Sequence, residues 1–257
     1  MKIAIAGAAG RMGQMLIRRI AATEGCSLVG AIESPTSNAI GSDVGGIKAI
    51  ADAAAAISGA DVLIDFTVPA ATVAHARIAA DKGVAMVIGT TGLSPEQSKA
   101  IHDAAKKVPI VWAANMALGV NILMALVEKT AAMLDPAYDI EILEMHHRHK
   151  IDAPSGTALA LGRAAAAGRK VELDKVWRKS RDGHTGARPT GEIGFAALRG
   201  GEEVGVHTVM FASAGERLEL THRSFSREGY TAGAVLAAQW LKGRKPGLYG
   251  MKDVLGL

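Results

Sequence analysis

Apolar and polar positions repeat with two periods along this chain, and the order in which the periods alternate predicts its architecture. Lys2-Ile-Ala-Ile-Ala6 reads as a short apolar strand. It stops at the glycine turn Gly7-Ala-Ala-Gly-Arg-Met-Gly13, after which residues 14–20 take helical spacing. Residues 27–32, 60–66, 84–88 and 110–112 are further apolar runs of strand length. Between them residues 34–46 read as a Gly/Ser-rich loop and residues 67–80 as a turn followed by a helix. A second helix is capped at Ser94, with Pro95 in its first turn and Glu96 nearby. Strands alternating with helices call for a Rossmann-like, doubly wound parallel sheet.

From Gly119 the pattern changes. A long apolar helix runs to about Met133, residues 140–145 form a partly alternating strand, and residues 158–167 are helix formers for which Ser155 or Thr157 is the N-cap. Residues 171–176, 194–198, 204–211 and 216–222 read as strands of a mixed or antiparallel sheet, one face of which needs cover from helices and from another subunit. Residues 230–243 are a helix that, with the tail, returns to the first half. The expected organisation is a dinucleotide-binding domain of residues 1–117 and 227–257, and a smaller α+β domain of residues 118–226 for substrate binding and oligomerisation.

Composition narrows the class. A chain of 257 residues that is 49% hydrophobic can bury a substantial core in one large or two modest domains. Its single cysteine, Cys26, excludes an internal disulfide and fits a reducing compartment as a buried thiol. No run reaches the length of a membrane span and none resembles a signal peptide, so a cytoplasmic location is expected. The net charge of +4 and pI of about 9.2 raise the question of nucleic acid, but aromatic residues are only 4% and no dense basic tract occurs. A dinucleotide and an anionic substrate account for the excess more simply.

The glycine turn supplies the first chemistry. After a strand and before a helix, Gly7 permits the tight turn, Gly10 lets a pyrophosphate approach the backbone, and Gly13 lets the helix pack close to the sheet. Gly7, Ala8, Ala9, Gly10, Arg11 and Met12 are therefore candidate cofactor contacts, with phosphate on the helix dipole. The spacing is one residue longer than the usual G-x-G-x-x-G. Glu33, about 20 positions after the last glycine, stands where a ribose 2′-hydroxyl is held. Gly89, Thr90 and Thr91, and Ala113, Ala114, Asn115 and Met116, follow strands at the same sheet edge and are candidate walls for the nicotinamide and its ribose. His75 lies in a helix of this half, either near the cofactor or at the surface.

The densest chemistry is Glu144-Met-His-His-Arg-His-Lys-Ile-Asp-Ala-Pro-Ser-Gly-Thr157. The strand delivers His146 and His147 at its carboxyl end, and the amides opening the next helix, beside Lys150 and three imidazoles, favour a carboxylate. Zinc is not expected: adjacent strand residues face opposite ways, Arg148 and Lys150 repel a dication, and no cysteine is near. A purely structural role suits His149 better than His146, and it is the reading given to His207 and His222. The basic loop at residues 177–191 is read as solvated.

Taken together, the glycine turn, Gly89-Thr-Thr-Gly92, Ala114-Asn115, the Glu144–Ala158 block and Gly183-His-Thr-Gly186 resemble the dihydrodipicolinate reductase (4-hydroxy-tetrahydrodipicolinate reductase) family over essentially the whole chain. The resemblance implies an NAD(P)H-dependent oxidoreductase on the diaminopimelate route to lysine. Such an enzyme reduces a cyclic dicarboxylate with loss of water and is assembled as a homotetramer through sheets of the second domain. It makes His146 the proton donor and acceptor, Lys150 a second proton donor, and His147, Gly156 and Thr157 substrate contacts. An imidazole suits proton transfer near neutrality, whereas Lys150, with an ordinary value of about 10.4, acts more naturally as a carboxylate clamp. Four extended residues span roughly 13 Å, so His146 and Lys150 converge only if the chain bends between them. Glu33, with Ser34 where some relatives carry Arg, points to NADH preferred and NADPH accepted, Arg11 being the residue within reach of a 2′-phosphate. Two other readings fit parts of the pattern: a related two-domain amino-acid dehydrogenase, and a dinucleotide sensor without turnover.

Overall fold

The computed structural model describes residues 1–257. From the N-terminus the chain forms β1 (Lys2–Ala6), α1 (Arg11–Ala21), β2 (Ser27–Ile32), α2 (Ala53–Ala56), β3 (Val62–Asp65), α3 (Pro69–Lys82), β4 (Ala85–Ile88), α4 (Pro95–Ala105) and β5 (Pro109–Trp112). Next come α5 (Leu118–Met133), β6 (Asp139–His146), α6 (Gly156–Gly168), α7 (Leu173–Val176), β7 (Trp177–Arg178), β8 (Ile193–Arg199), β9 (Gly205–Ala212) and β10 (Arg217–Ser224). It ends with α8 (Glu228–Trp240), β11 (Gly247–Tyr249) and α9 (Met251–Leu255). These elements divide into two compact units, one of Met1–Leu118 with Glu228–Leu257 and one of Gly119–Arg227. No helix is long and apolar enough to cross a membrane.

The first unit is built on a parallel sheet of order β11-β5-β4-β3-β1-β2. Its strands read as continuous apolar runs because both faces are covered. Leu16, Ile17 and Ile20 of α1 and Ala234, Val235 and Ala238 of α8 pack on one face with Ile3 and Ile5. On the other, α2, α3 and α4 bury Ala53, Val73, Ala76, Ile101 and Ala104 against Leu63, Met86 and Ile110. The chain goes from β1 outward to β2 and then to β3 on the other side of β1. That reversal opens a crevice at the carboxyl ends of β1 and β3, where open α/β sheets take their ligands. Helix α4 starts in a capping box that Gln97, rather than Glu96, closes: its Oε1 accepts from the Ser94 amide at 2.8 Å while Glu96 takes the Ser94 hydroxyl at 2.7 Å.

The second unit carries a mixed sheet of order β10-β9-β6-β8-β7, with β6 antiparallel to β9 and parallel to β8. Helices α5, α6 and α7 cover one face, where Leu123, Val127, Leu161, Ala165 and Leu173 meet Ile140, Ile142, Phe195, Val209 and Phe211. One expected strand is absent. Within residues 171–176 the chain instead forms the helical turn α7, because Leu173 and Val176 lie three apart and both pack on the core, while Val171 stays exposed before it. The two-residue β7 follows. The basic loop after it is fastened rather than wholly solvated: Arg188 bonds Asp139 and Glu141, and Arg181 bonds Glu141 and Glu192.

Candidate active site

At the crevice of the first unit, Gly7 takes a left-handed φ of 72° and donates its amide to Ile32 O at 2.9 Å, turning the chain back over β2. Gly10 is the N-cap of α1 and has no side chain to satisfy the helix amides. A Cβ on Gly13 would stand 2.1 Å from Gly7 O and 2.6 Å from Ala8 O, so α1 presses its backbone onto the turn in a way only glycine allows. Ala8 is buried, Arg11 exposed and Met12 half-buried. Glu33 reaches back into the turn, where its Oε1 accepts from the Ala9 amide at 2.7 Å. This bare-backbone cradle, edged by one carboxylate, fits a dinucleotide pyrophosphate and ribose.

The neighbouring loops are tied to a single buried carboxylate that the sequence did not single out. Asp65, fully buried at the end of β3, accepts from the Thr67 amide and from the hydroxyls of Thr67, Thr72 and Thr90 through Oδ1. Its Oδ2 lies 2.7 Å from His75 Nδ1. His75 is therefore not a surface residue, and its Nδ1 is committed to Asp65. The Thr90 hydroxyl is likewise committed to this network, and Thr90 O receives the Trp112 indole N–H at 3.3 Å. Gly89 and the exposed Thr91 leave only backbone and one free side chain along that wall. The Met116 side chain is buried, so of residues 113–116 it offers backbone alone, while Asn115 Oδ1 caps the Ala117 amide at 2.8 Å.

In the second unit β6 alternates strictly, and Ile140, Ile142, Glu144 and His146 point to its buried side. His146 Nδ1 lies 2.6 Å from Glu144 Oε2. Arg199 forks onto both oxygens of Glu144 at 2.8 Å, and the Ser155 amide donates to Oε1 at 3.1 Å. Burial pushes the Glu144 carboxyl up, but Arg199, His146 and the Ser155 amide outweigh it and hold the group below the usual range. Ser155 is the N-cap of α6, accepting from the Ala158 amide at 3.1 Å; Thr157 lies inside the first turn, and Gly156 is exposed there.

Past His146 the chain bends. His147 N bonds Glu203 O, Arg148 N bonds Gly201 O, and Lys150 N returns to His147 O at 3.1 Å. Lys150 is mostly buried and its Nζ pairs with Asp152 Oδ1 at 2.7 Å. His147 Nδ1 is buried with no partner. Of the structural role given to His149, in the core or at a subunit contact, the core form does not hold: its side chain is 69% exposed, 3.5 Å from Glu202, while His146 is the buried one.

His207, read from sequence as structural, sits within this cluster. Its ring centroid is 5.0 Å from that of His146, edge to face, and its Nε2 shares a 2.9 Å hydrogen bond with Ser155 Oγ. Burial, with the charges of His146, His222 and Lys150, pushes it down to about 4. Register explains the omission, because His207 pairs with Glu144 and Arg199 with His146 across strands far apart in sequence. Glu144 was given no role from sequence, although it stands two residues before His146 and so on the same face.

Two family profiles cover the chain: "Dihydrodipicolinate reductase, N-terminus" over residues 1–116 and "Dihydrodipicolinate reductase, C-terminus" over residues 119–255. The chain belongs to the dihydrodipicolinate reductase family. It is 52% identical to a 4-hydroxy-tetrahydrodipicolinate reductase of Rhodopseudomonas palustris, with 100% of this chain and 98% of the relative aligned. It is 51% identical to that of Cupriavidus metallidurans over 100% of both. Among solved structures, a dipicolinate-bound dihydrodipicolinate reductase from Paenisporosarcina superposes with a TM-score of 0.78 at 25% identity, covering 98% of each chain. A probable dehydrogenase from Thermotoga maritima shares the fold, at a TM-score of 0.65 and 11% identity.

Proposed function

We infer that the chain reduces 4-hydroxy-2,3,4,5-tetrahydrodipicolinate to 2,3,4,5-tetrahydrodipicolinate, consuming one NAD(P)H and one proton and releasing one water, as a member of this family acting towards diaminopimelate and lysine. The bound nicotinamide supplies the hydride. The turn at Gly7, Ala8, Ala9, Gly10, Arg11 and Met12 holds its pyrophosphate, Glu33 its adenosine ribose, and residues 89–91 and 113–116 the nicotinamide end. His146 gives its Nε2 proton to the substrate as charge builds up on the ring. The amides of Gly156 and Thr157 receive one carboxylate, and Lys150, released from Asp152, receives the other as an electrostatic clamp, with His147 beside it. The observation that carries this reading is the shared carboxylate of Glu144, which holds the imidazole and the α6 N-terminus together. The dipicolinate of the Paenisporosarcina relative is a planar ring diacid of the class such a seat accepts.

The test is to supply substrate made fresh by the preceding synthase from pyruvate and aspartate semialdehyde and to follow NADH and NADPH separately. His146→Gln is expected to lower kcat by roughly 10²- to 10⁴-fold while NADH affinity stays; unchanged turnover would remove His146 from the mechanism. Lys150→Ala should lower kcat/KM far more than Lys150→Arg. NADH is the preferred donor, since Glu33 repels a 2′-phosphate and Ser34 offers no cation, and NADPH is accepted through Arg11. A many-fold larger kcat/KM for NADPH at matched salt would overturn that preference. The assembly is a homotetramer built on the second sheet, and the site of action is the cytoplasm, where the cofactor is regenerated.

A further inference from the structure

Proton delivery at His146 and carboxylate capture at α6 belong to different elements, and one side chain joins them. Glu144, 1% exposed, carries two donors on each oxygen. Oε1 takes the Ser155 amide and Arg199 NH2; Oε2 takes His146 Nδ1 and Arg199 NH1. Those four bonds fill the acceptor capacity of a carboxylate. The same Arg199 NH2 holds Asp152 O, which fastens the loop between His146 and Ser155. Ser155 is fixed from its other side by His207.

The groups around the His146 ring leave it one working nitrogen. Glu144 from β6 and Arg199 from β8 lie on the Nδ1 side. His207 and Gly205 come from β9, and a Cβ on Gly205 would stand 3.0 Å from Nε2. The Lys150–Asp152 ion pair comes from the loop. A carboxylate accepts only, so in the neutral ring the proton sits on Nδ1, against the preference of free imidazole for Nε2–H. His207, kept neutral by burial, does not compete as a second imidazolium.

We propose that Glu144, clamped by Arg199, is a positioning residue that commits His146 to the Nδ1–H tautomer and keeps its Nε2 in register with the amides opening α6. The proposal rests on the reading of His146 as proton donor. It differs from a packing role in requiring both the negative charge and the position of the oxygens.

Two measurements decide it. In wild-type protein labelled with ¹⁵N-histidine, and assigned by difference from His146→Gln, the neutral His146 ring is expected to carry its proton on Nδ1; a neutral Nε2–H ring overturns the proposal. In kinetics, Glu144→Gln is expected to lower kcat by about tenfold or more and to move the alkaline limb of the kcat/KM profile to lower pH, because the imidazolium has lost its anion. Glu144→Asp keeps the charge but withdraws the oxygens, so kcat should fall with that limb in place. Equal losses in both variants with the limb unmoved would reduce Glu144 to a packing residue. Should Glu144→Gln not fold, the tautomer in wild-type protein still decides. A wild-type protein that leaves the substrate unreduced sinks the function, whereas an active wild type with an Nε2–H ring sinks only this inference.

Discussion

Gly205 lies against the nitrogen that must hand over a proton. Adding the single methyl of Gly205→Ala would place carbon 3.0 Å from His146 Nε2 and turn the ring or block the substrate. We expect kcat to fall roughly 100-fold, the scale of an ångström's misplacement of a reacting group, while NADH affinity in titration is unchanged. His207 makes a second residue-level prediction. Its value falls from 6.5 in the unfolded chain to about 4 in the fold. Above pH 6.5 both states are neutral and the fold keeps its full stability. Between 6.5 and 4 only the unfolded chain binds the proton, so stability declines as pH falls, by on the order of 3 kcal/mol. His222, also pushed down by burial, acts in the same direction. Melting temperatures at pH 7.5 and 5 should differ less in His207→Gln than in wild type; an unchanged difference would exclude His207. His146, Lys150 and Ser155 stand in one short segment and Glu33 at a fixed offset from the glycine turn, so these could be read from sequence. Arg199 and His207 could not, because their partners Glu144 and Ser155 lie 52 or more positions away in the chain, and Asp65 could not, because only the fold closes Thr67, Thr72, His75 and Thr90 around its carboxylate.

Helix α6 owes its start to Ser155, which caps Ala158 N and also meets His207. Ser155→Ala removes both bonds; a loss of about 1–2 kcal/mol in urea unfolding is expected, with a raised KM for substrate as the amide seat frays. At α1, Gly13→Ala would drive a methyl into Gly7 O and Ala8 O, lifting the helix from the turn. Loss of NADH binding in a fluorescence titration, with the second unit still folded by near-ultraviolet dichroism, is the expected outcome. The long elements were legible because a period of 2 or 3.6 sustained over many residues leaves little choice. Residues 171–176 were not, since three apolar residues in six fit a strand and a helical turn equally and packing beside α6 decided between them. Strands β7 and β11, of 2 and 3 residues, exist only because β8 and β5 offer edges to pair with.

For the whole molecule, the second sheet has helices on one face only. Leu143 and Met145 of β6, Ala196 and Leu198 of β8, and Val206 and Met210 of β9 lie opposite the helix-covered side, and Leu198 is 48% exposed. A face of this kind favours self-association. Leu198→Glu is expected to shift the species seen by light scattering from the proposed tetramer to smaller forms, and a wild-type monomer would overturn that proposal. The two-part organisation was legible from the change of pattern at Gly119, although nothing local to residues 247–249 announces that they add a strand to a sheet begun at Lys2. That late addition bears on how the molecule is made. The second unit is one uninterrupted stretch, Gly119–Arg227, and is complete once the ribosome has passed it, whereas the first waits with the outer edge of β5 bare and one face of its sheet lacking α8 until residues 228–249 have been made. A nascent chain stalled or clipped near Arg227 would therefore present a finished C-terminal half and a sticky, open N-terminal sheet, the form that chaperones and proteases select.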